Sequence, residues 1–386
     1  MQNLKQHNIN LVHKTYITGY ACSTVCGDSP ELLWSAVNGP EQSLPNGLGF
    51  ISNEKHSSNR TMDIAVRCIS QAMDSAGWQG LREDDGLIIG TTAGQLPVWE
   101  GPLMDFSTGK ITKQQFVDFF KWEPLGVLTE EICSYFNFSG RRQTISTACS
   151  ASTHAIALGC SWLAQGKVNR CIVGGVDVLP QLIVEGFKSL QLLTSEPARP
   201  FDRDRKGINL SEGAAFLCLE RDSNGENVFG ISGYGMSCDA FHPTAPHPEG
   251  NGSYSAMASA VRMAGIKPSD VDWVHAHGTG SVHNDISESR GIVRLFSNDN
   301  IPPVSSTKGI HGHTLAASGA VESVICLEAL KAQRLAPTNG LRNVDPEIKL
   351  PLVRESKPAF VRYVLKNSLG FGGANGALVF FRETNT

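Results

Sequence analysis

Residues 17–21, Ile17-Thr18-Gly19-Tyr20-Ala21, return later in the chain as Ile231-Ser232-Gly233-Tyr234-Gly235, each after a short β-prone run. Three further pairs follow in the same order. Ala72-Met73-Asp74-Ser75-Ala76-Gly77 resembles Ala260-Val261-Arg262-Met263-Ala264-Gly265, and Leu87-Ile88-Ile89-Gly90-Thr91 lines up with residues 274–279. Glu212-Gly213-Ala214-Ala215-Phe216-Leu217 echoes Asn375-Gly376-Ala377-Leu378-Val379-Phe380. One such match could arise by chance. Four in one order indicate an internal duplication, with an N-terminal half over residues 1–222 and a C-terminal half over 223–386, joined near 222–228.

Within each half, helix and strand signals alternate. The first half gives a helix over 62–76 ending at Gly77, a buried strand over 86–90, a helix over 150–165 closed by Gly166, and a strand over 170–176. The second half repeats this with helices over 255–264 and 319–333 and strands over 273–277 and 363–368. Alternation of this kind predicts an α/β fold with largely buried sheets. Residues 95–140, rich in aromatics, Gly and Pro, read as an insertion in the first half, of the sort that forms lids, pocket walls or partner surfaces.

Composition limits the function. The 386 residues suffice for two cores, and the repeat makes these two halves of one fold. With 41% hydrophobic and 18% charged residues, the chain is not intrinsically disordered. A net charge of −4 argues against nucleic acid or an anionic membrane as the main partner. No apolar stretch approaches the roughly 18–20 residues of a membrane span, and Met1-Gln2-Asn3-Leu4-Lys5 does not open a signal peptide. The ten cysteines include no CxxC pair, and Cys160, Cys171, Cys218 and Cys326 lie in apolar runs. That usage predicts a reducing cytoplasm, with at least one cysteine free for chemistry.

Four segments carry groups capable of chemistry. Thr147-Ala148-Cys149-Ser150-Ala151-Ser152 puts Cys149 at a helix N-terminus, where unpaired N–H groups and the helix dipole favour a thiolate; the alternative is one more packing cysteine. Val274-His275-Ala276-His277-Gly278-Thr279-Gly280-Ser281 places a histidine at a strand end before a glycine turn bearing two hydroxyls, or else a structural loop histidine. Ser305-Ser306-Thr307-Lys308-Gly309-Ile310-His311-Gly312-His313 sets Lys308 five residues before His313, ahead of a small-residue helix over 314–332. The plain alternative there is a solvated lysine and a capping histidine. Asn367-Ser368-Leu369-Gly370-Phe371-Gly372-Gly373-Ala374-Asn375 has the glycine density for close backbone approach to a ligand. It is not a dinucleotide loop, because the spacing is not GxGxxG and a strand follows. A metal site on His275, His277, His311 and His313 finds little support, since alternate strand residues face opposite sides.

Together the four segments, with Pro200-Phe201-Asp202-Arg203-Asp204-Arg205 and Ser211-Glu212-Gly213-Ala214, resemble the signature set of the β-ketoacyl-acyl-carrier-protein synthases of the thiolase superfamily. The resemblance runs in order over nearly the whole chain. It implies a five-layer αβαβα fold of two similar halves with a sheet each, and an active site where the halves meet. It implies Cys149 as the acyl-accepting nucleophile, His277 and His313 as the pair promoting decarboxylation of a malonyl unit, and Lys308 supporting them. The N–H groups of Cys149 and Phe371 become the oxyanion hole, with Phe371 also gating the pocket. Thr279 and Ser281 would bind the phosphopantetheine arm, and Glu322 would be a buried structural carboxylate near the site. A histidine in Gly312-His313 points to the elongating Cys-His-His type.

The residue types suit that chemistry. A thioester intermediate needs a soft nucleophile. Carbon–carbon bond formation without a strong base can use the carbanion left by loss of CO₂, given donors for the enolate oxygen. No resident cofactor is implied, the substrates being carried on an acyl carrier protein. The chain would work as a homodimer, or as a heterodimer with a homologous chain-length-factor-like subunit, and is similar to compact synthases of aryl-polyene and type II polyketide clusters. A catalytically dead partner subunit is the alternative, weakened by retention of Cys149, His277, His313 and Lys308. Departures from the pattern (Ser281, Leu369, Ala316, Ser318 and a short 190–197 stretch) bear on substrate more than on reaction. An acidic carrier needs a basic doorway, for which Arg203, Arg205 and Lys206 are candidates, with Lys55 and Arg60 behind them.

Overall fold

The computed structural model describes residues 14–52, 59–119, 124–222, 227–297 and 300–384. The N-terminal pentapeptide, Lys55 and the centre of the expected junction lie outside the described residues. Ten strands build the main sheet: β1 (Thr15–Thr24), β2 (Gly86–Gly90), β3 (Arg141–Ile145), β4 (Arg170–Asp177), β5 (Gly213–Glu220), β6 (Asn227–Cys238), β7 (Trp273–His275), β8 (Val304–Ser305), β9 (Tyr363–Leu369) and β10 (Ala374–Thr384). Eleven α-helices are present among the described residues: α1 (Pro30–Val37), α2 (Arg60–Ser75), α3 (Leu96–Ser107), α4 (Lys113–Phe119), α5 (Pro124–Tyr135), α6 (Ala151–Ala164), α7 (Gln181–Ser189), α8 (Asn251–Met263), α9 (Val282–Leu295), α10 (Lys308–His311) and α11 (Ser318–Ala332).

The strand order is β8-β7-β9-β10-β6-β1-β5-β4-β2-β3. Outward from the centre, the first half reads β1-β5-β4-β2-β3 and the second β6-β10-β9-β7-β8, the same order with every number raised by five. The duplication is therefore written into the topology. Instead of a separate sheet in each half, the two sets join through β1 and β6, which pair only at Thr15↔Ile231 and Tyr16↔Gly230.

The repeated residues have a packing reason. A Cβ on Gly19 would lie 2.4 Å from Ala76 N and 2.6 Å from Ala72 O of the α2 turn. On Gly233 it would lie 2.2 Å from Ala260 O and 2.6 Å from Ala264 N of α8. In both halves a strand glycine and two helix alanines let a helix lie directly on the sheet.

Side-chain alternation sorts the layers. On β5, Ala214, Phe216 and Cys218 face a core shared with α2 and α5, whereas Ala215, Leu217 and Leu219 face one shared with α6 and α11. On β10, Leu378 and Phe380 join that same central core, while Ala377 and Val379 pack toward α8 and α9. The result is α2/α5, first-half strands, α6/α11, second-half strands, α8/α9: five layers. Helix α11 occupies the middle, and every residue from Ser318 to Leu330 is buried. A helix apolar on all sides belongs in such a place, but it carries Glu322 into the core and so demands a buried cation partner.

The helix expected over 314–332 is interrupted. Leu315–Ala317 forms a 3-10 turn with Leu315 at φ +50°, and α11 starts only at Ser318. Two backbone N–H groups of this turn go to side chains: Leu315 N–H to His313 Nδ1 (3.1 Å) and Ala316 N–H to the Asp177 carboxylate (2.9 Å). The insertion folds into α3, α4 and α5.

Candidate active site

Cys149, His277, His313, Thr279, Ser281 and Phe371 line one cavity of about 520 Å³ between the halves. Among the described residues its lining comes from segments near α7 and α9, from 242–246 and from 369–371, and includes none of residues 95–140. The α5 end of the insertion lines a second cavity of about 1060 Å³ beside β3, whose lining reaches Ser146.

Cys149 follows Ala148, whose φ of +50° is a strained setting for a residue with a Cβ. The sulfur sits just before α6, which begins at Ala151 after its N-cap Ser150. This helix start reaches the core because a Cβ on Gly319 would lie 2.2 Å from Thr153 Oγ1, so only glycine lets α11 approach α6 so closely. The expected lowering of the thiol pKa does not occur. Burial pushes Cys149 up to about 12, although Lys308 and the N–H groups of Phe371 and Cys149 itself pull it down. Desolvation outweighs the helix terminus, so the resting side chain is a thiol. Those same N–H groups of Phe371 and Cys149 are directed toward the sulfur. The Phe371 ring stacks on Phe187 at 5.5 Å, at the cavity wall.

His277 and His313 meet edge to face, with ring centroids 5.3 Å apart. Each is fixed from behind. Lys308 Nζ donates to His277 O (2.7 Å) and lies 3.2 Å from His277 Nδ1. Leu315 N–H donates to His313 Nδ1, and Ser318 Oγ lies 3.0 Å from the same nitrogen. An ammonium and a backbone N–H can only donate, so both Nδ1 atoms are acceptors and a neutral ring must carry its proton on Nε2. Burial first, then Lys308, holds His277 well below the ordinary imidazole range and lowers His313 to about 3, so both rings are neutral. Two Nε2–H donors thus serve one cavity.

Lys308 pairs closely with Glu322 inside the protein, their side chains 1% and 0% exposed. Burial opposes the Glu322 charge, but Lys308 and Lys366 outweigh it and hold the carboxyl well below the usual range. Thr279 Oγ1 and Ser281 Oγ lie 3.0 Å apart in the cavity wall. His275 and His311 share the hydroxyl of Thr307, at 3.1 and 2.9 Å.

The basic doorway needs correction. Arg205 is buried: its Nη1 donates to Asp202 O (2.7 Å) and Asp345 (2.6 Å), and Nε lies 3.7 Å from Asp285. The fold brings carboxylates from distant segments around it, so its side chain is 1% exposed and braces the structure at the cavity wall. Arg60 is likewise committed, to Glu212 at 2.5 Å. Arg203 and Lys206 remain exposed, beside Asp204 and Glu196, and Lys206 lines the cavity.

Three site residues escaped the sequence reading. Glu288 accepts the N–H groups of His277 (2.7 Å) and Gly278 (2.8 Å), fixing the histidine turn, and Asp177 receives those of Thr92, Ala93 and Ala316. A carboxylate closing the apolar strand Cys171-Ile172-Val173-Gly174-Gly175-Val176-Asp177 was a visible signal, as was the i, i+3 pair Asp285 and Glu288 directly after the histidine turn. The third is Lys366.

Comparison with known proteins agrees with this geometry. The N-terminal domain pattern of beta-ketoacyl synthases matches residues 37–225, and the C-terminal domain pattern matches 228–342. The 3-oxoacyl-[acyl-carrier-protein] synthase 2 of Staphylococcus aureus is 32% identical over 312 residues, covering 75% of this chain and 77% of that protein. The chain belongs to the β-ketoacyl synthase family. A relative of the same name from Mycobacterium bovis is 38% identical over 250 residues, 61% of this chain, and the chain spans 60% of that relative's length. Among solved structures, this β-ketoacyl synthase is similar to a chain of the ketosynthase (ApeO) complex with its chain length factor (ApeC) from Xenorhabdus doucetiae. That chain is 30% identical, with a TM-score of 0.82 over 99% of this chain and 100% of the other. Among the described residues, no helix of this synthase is long and apolar enough to cross a membrane.

Proposed function

We propose that the protein is an elongating β-ketoacyl-acyl-carrier-protein synthase. The observation that carries this is the convergence of a thiol, two backbone N–H donors and two neutral Nε2–H imidazoles on one cavity. Cys149 Sγ attacks the thioester carbonyl of an acyl-carrier protein. Charge moves to the oxygen facing the N–H groups of Cys149 and Phe371, and the carrier's thiol leaves with the cysteine proton. Malonyl-carrier protein then enters. The electrons of its C–CO₂ bond become an enolate, whose oxygen accepts from His277 and His313. With CO₂ already released, the enolate carbon attacks the acyl-Cys149 carbonyl; collapse gives the β-ketoacyl-carrier protein and expels the Cys149 thiolate, which one proton restores to the thiol.

Thr279 and Ser281 hold the phosphopantetheine arm in this reading, which supplies the substrate so that no resident cofactor takes part. Phe371 gates the entrance and Glu322 keeps Lys308 in place. Arg203 and Lys206 remain as docking cations. The halves 1–222 and 223–386 act as one unit, since neither alone carries both the thiol and the histidines. The complex formed by ApeO with ApeC supports a homologous subunit as partner, in a homodimer or a chain-length-factor heterodimer, within a fatty-acid, aryl-polyene or polyketide pathway in the cytoplasm.

Intact-mass measurement with a panel of acyl-carrier proteins tests the reading. Acyl transfer to the wild type and none to Cys149→Ala is expected, and acylation that persists in Cys149→Ala refutes it. A non-catalytic partner subunit would show no acylation of the wild type. Removing one oxyanion donor costs about 3–4 kcal/mol, so His313→Ala should lose 10²-fold or more of malonyl decarboxylation, on the order of that value.

A further inference from the structure

Glu322 is shared by two lysines. Lys308 takes Oε1, and Lys366, itself 0% exposed, lies 3.0 Å from Oε2. Lys366 comes from β9, five residues before Phe371, and its Nζ also donates to Thr153 Oγ1 (3.2 Å) on α6 and to Ser368 Oγ. It therefore ties the helix that follows Cys149 and the strand that leads to Phe371 to the carboxylate that holds Lys308. Two ammonium groups against one carboxylate leave the buried cluster one positive charge in excess, surrounded by neutral His275 and His277. We infer that Lys366 is a positioning residue: by claiming one oxygen of Glu322, it leaves the Lys308 ammonium directed at His277 and so keeps the His277 proton on Nε2.

The physical reason is competition. A carboxylate facing a single ammonium in a low-dielectric core attracts it with its whole charge, whereas two ammonium groups divide that attraction. With Lys366 on Oε2, Lys308 bonds to Oε1 alone and keeps its contacts to His277 O and Nδ1. The groups around Lys366 are Glu322 and Cys326 of α11, Lys308 of α10, His275 of β7 and His154 of α6. Those around His277 are Lys308, His313, Glu322 and Lys366, with Glu288 at its backbone. Loss of Lys366 removes a cation from both sets, which favours protonation of His277 and frees Lys308 to leave its Nδ1.

The role rests on the condensation reading only for its kinetic part. With histidine labelled by ¹⁵N in the full chain, wild type should show His277 as the Nε2–H tautomer. Lys366→Met should add the Nδ1–H form and raise the imidazole pKa by about one unit, the scale of one neighbouring charge. In malonyl-carrier-protein decarboxylation, that variant should lower kcat at least tenfold with KM unchanged and move the acid limb upward, while Lys366→Arg restores the limb. An unchanged tautomer and acid limb in a folded Lys366→Met protein would overturn the inference. If Lys366→Met does not fold, lysine ¹⁵Nζ spectra of the wild type decide, because a neutral Lys366 amine at pH 7 also overturns it. Absence of decarboxylation by the wild type would reject the condensation reading, and the spectra would still judge Lys366.

Discussion

Lowering the pH from 6.5 to 5 should destabilise this protein steeply, because four imidazoles are buried neutral. Burial lowers His275 and His313 to about 3, His311 to about 4 and His277 well below the ordinary value of 6.5. Below pH 6.5 the unfolded chain binds a proton at each of these positions and the native protein does not, so stability falls as pH falls. At about 1.36 kcal/mol per pH unit for a fully titrating group, and with each unfolded imidazole only half protonated at pH 6.5, the four groups remove about 7 kcal/mol over this interval. Glu288 opposes this, since burial raises it to about 7 and it binds its proton in the native state first. Its contribution over the same interval is about 2 kcal/mol, leaving a net loss of about 5 kcal/mol against a typical total of about 5–15 kcal/mol. Asp177 and Asp285, also raised by burial, act in the same direction as Glu288. Calorimetry in two buffers of different ionisation enthalpy should find about three protons taken up on unfolding at pH 5, four by the histidines less about one released from Glu288. Uptake below one proton, or a Tm that stays flat between pH 6.5 and 5, would refute the buried-neutral assignment.

Iodoacetamide alkylation of Cys149 should rise about tenfold per pH unit from pH 6 to 9 without a plateau, as a thiol pushed to about 12 dictates; a plateau near neutrality would show a thiolate–imidazolium pair instead. Glu322→Gln leaves Lys308 and Lys366 buried without their shared counter-charge and should cost about 3–5 kcal/mol in denaturant unfolding. Gly319→Ala forces α6 and α11 apart at Thr153, so it should lose about 1–3 kcal/mol and reduce acylation of Cys149. Lys206→Glu at the cavity mouth should raise the KM for carrier protein several-fold with kcat unchanged; an unaltered KM removes Lys206 from the docking surface.

The sequence alone determined the duplication, the alternation of helix and strand, and the cysteine, the two histidines and Phe371 that meet in the cavity. The repeated glycine–alanine pairs could be read because they encode a contact each half makes within itself: Gly19 on the α2 turn, Gly233 on α8. Cys149, His277, Lys308, His313 and Phe371 stood out because strand ends and glycine turns leave a local trace. Charge and ionisation were decided only by the tertiary structure. Arg205 looked like a surface cation until Asp285 and Asp345 closed around it, and Cys149 looked like a thiolate until its burial was known. Lys366 looked like one polar residue in a strand, yet it shares Glu322 with Lys308 across the central layer. A motif records which groups are present, but a proton's position depends on how much water surrounds each group and which opposite charge lies within a few ångströms. Both are properties of packing between segments far apart in the chain.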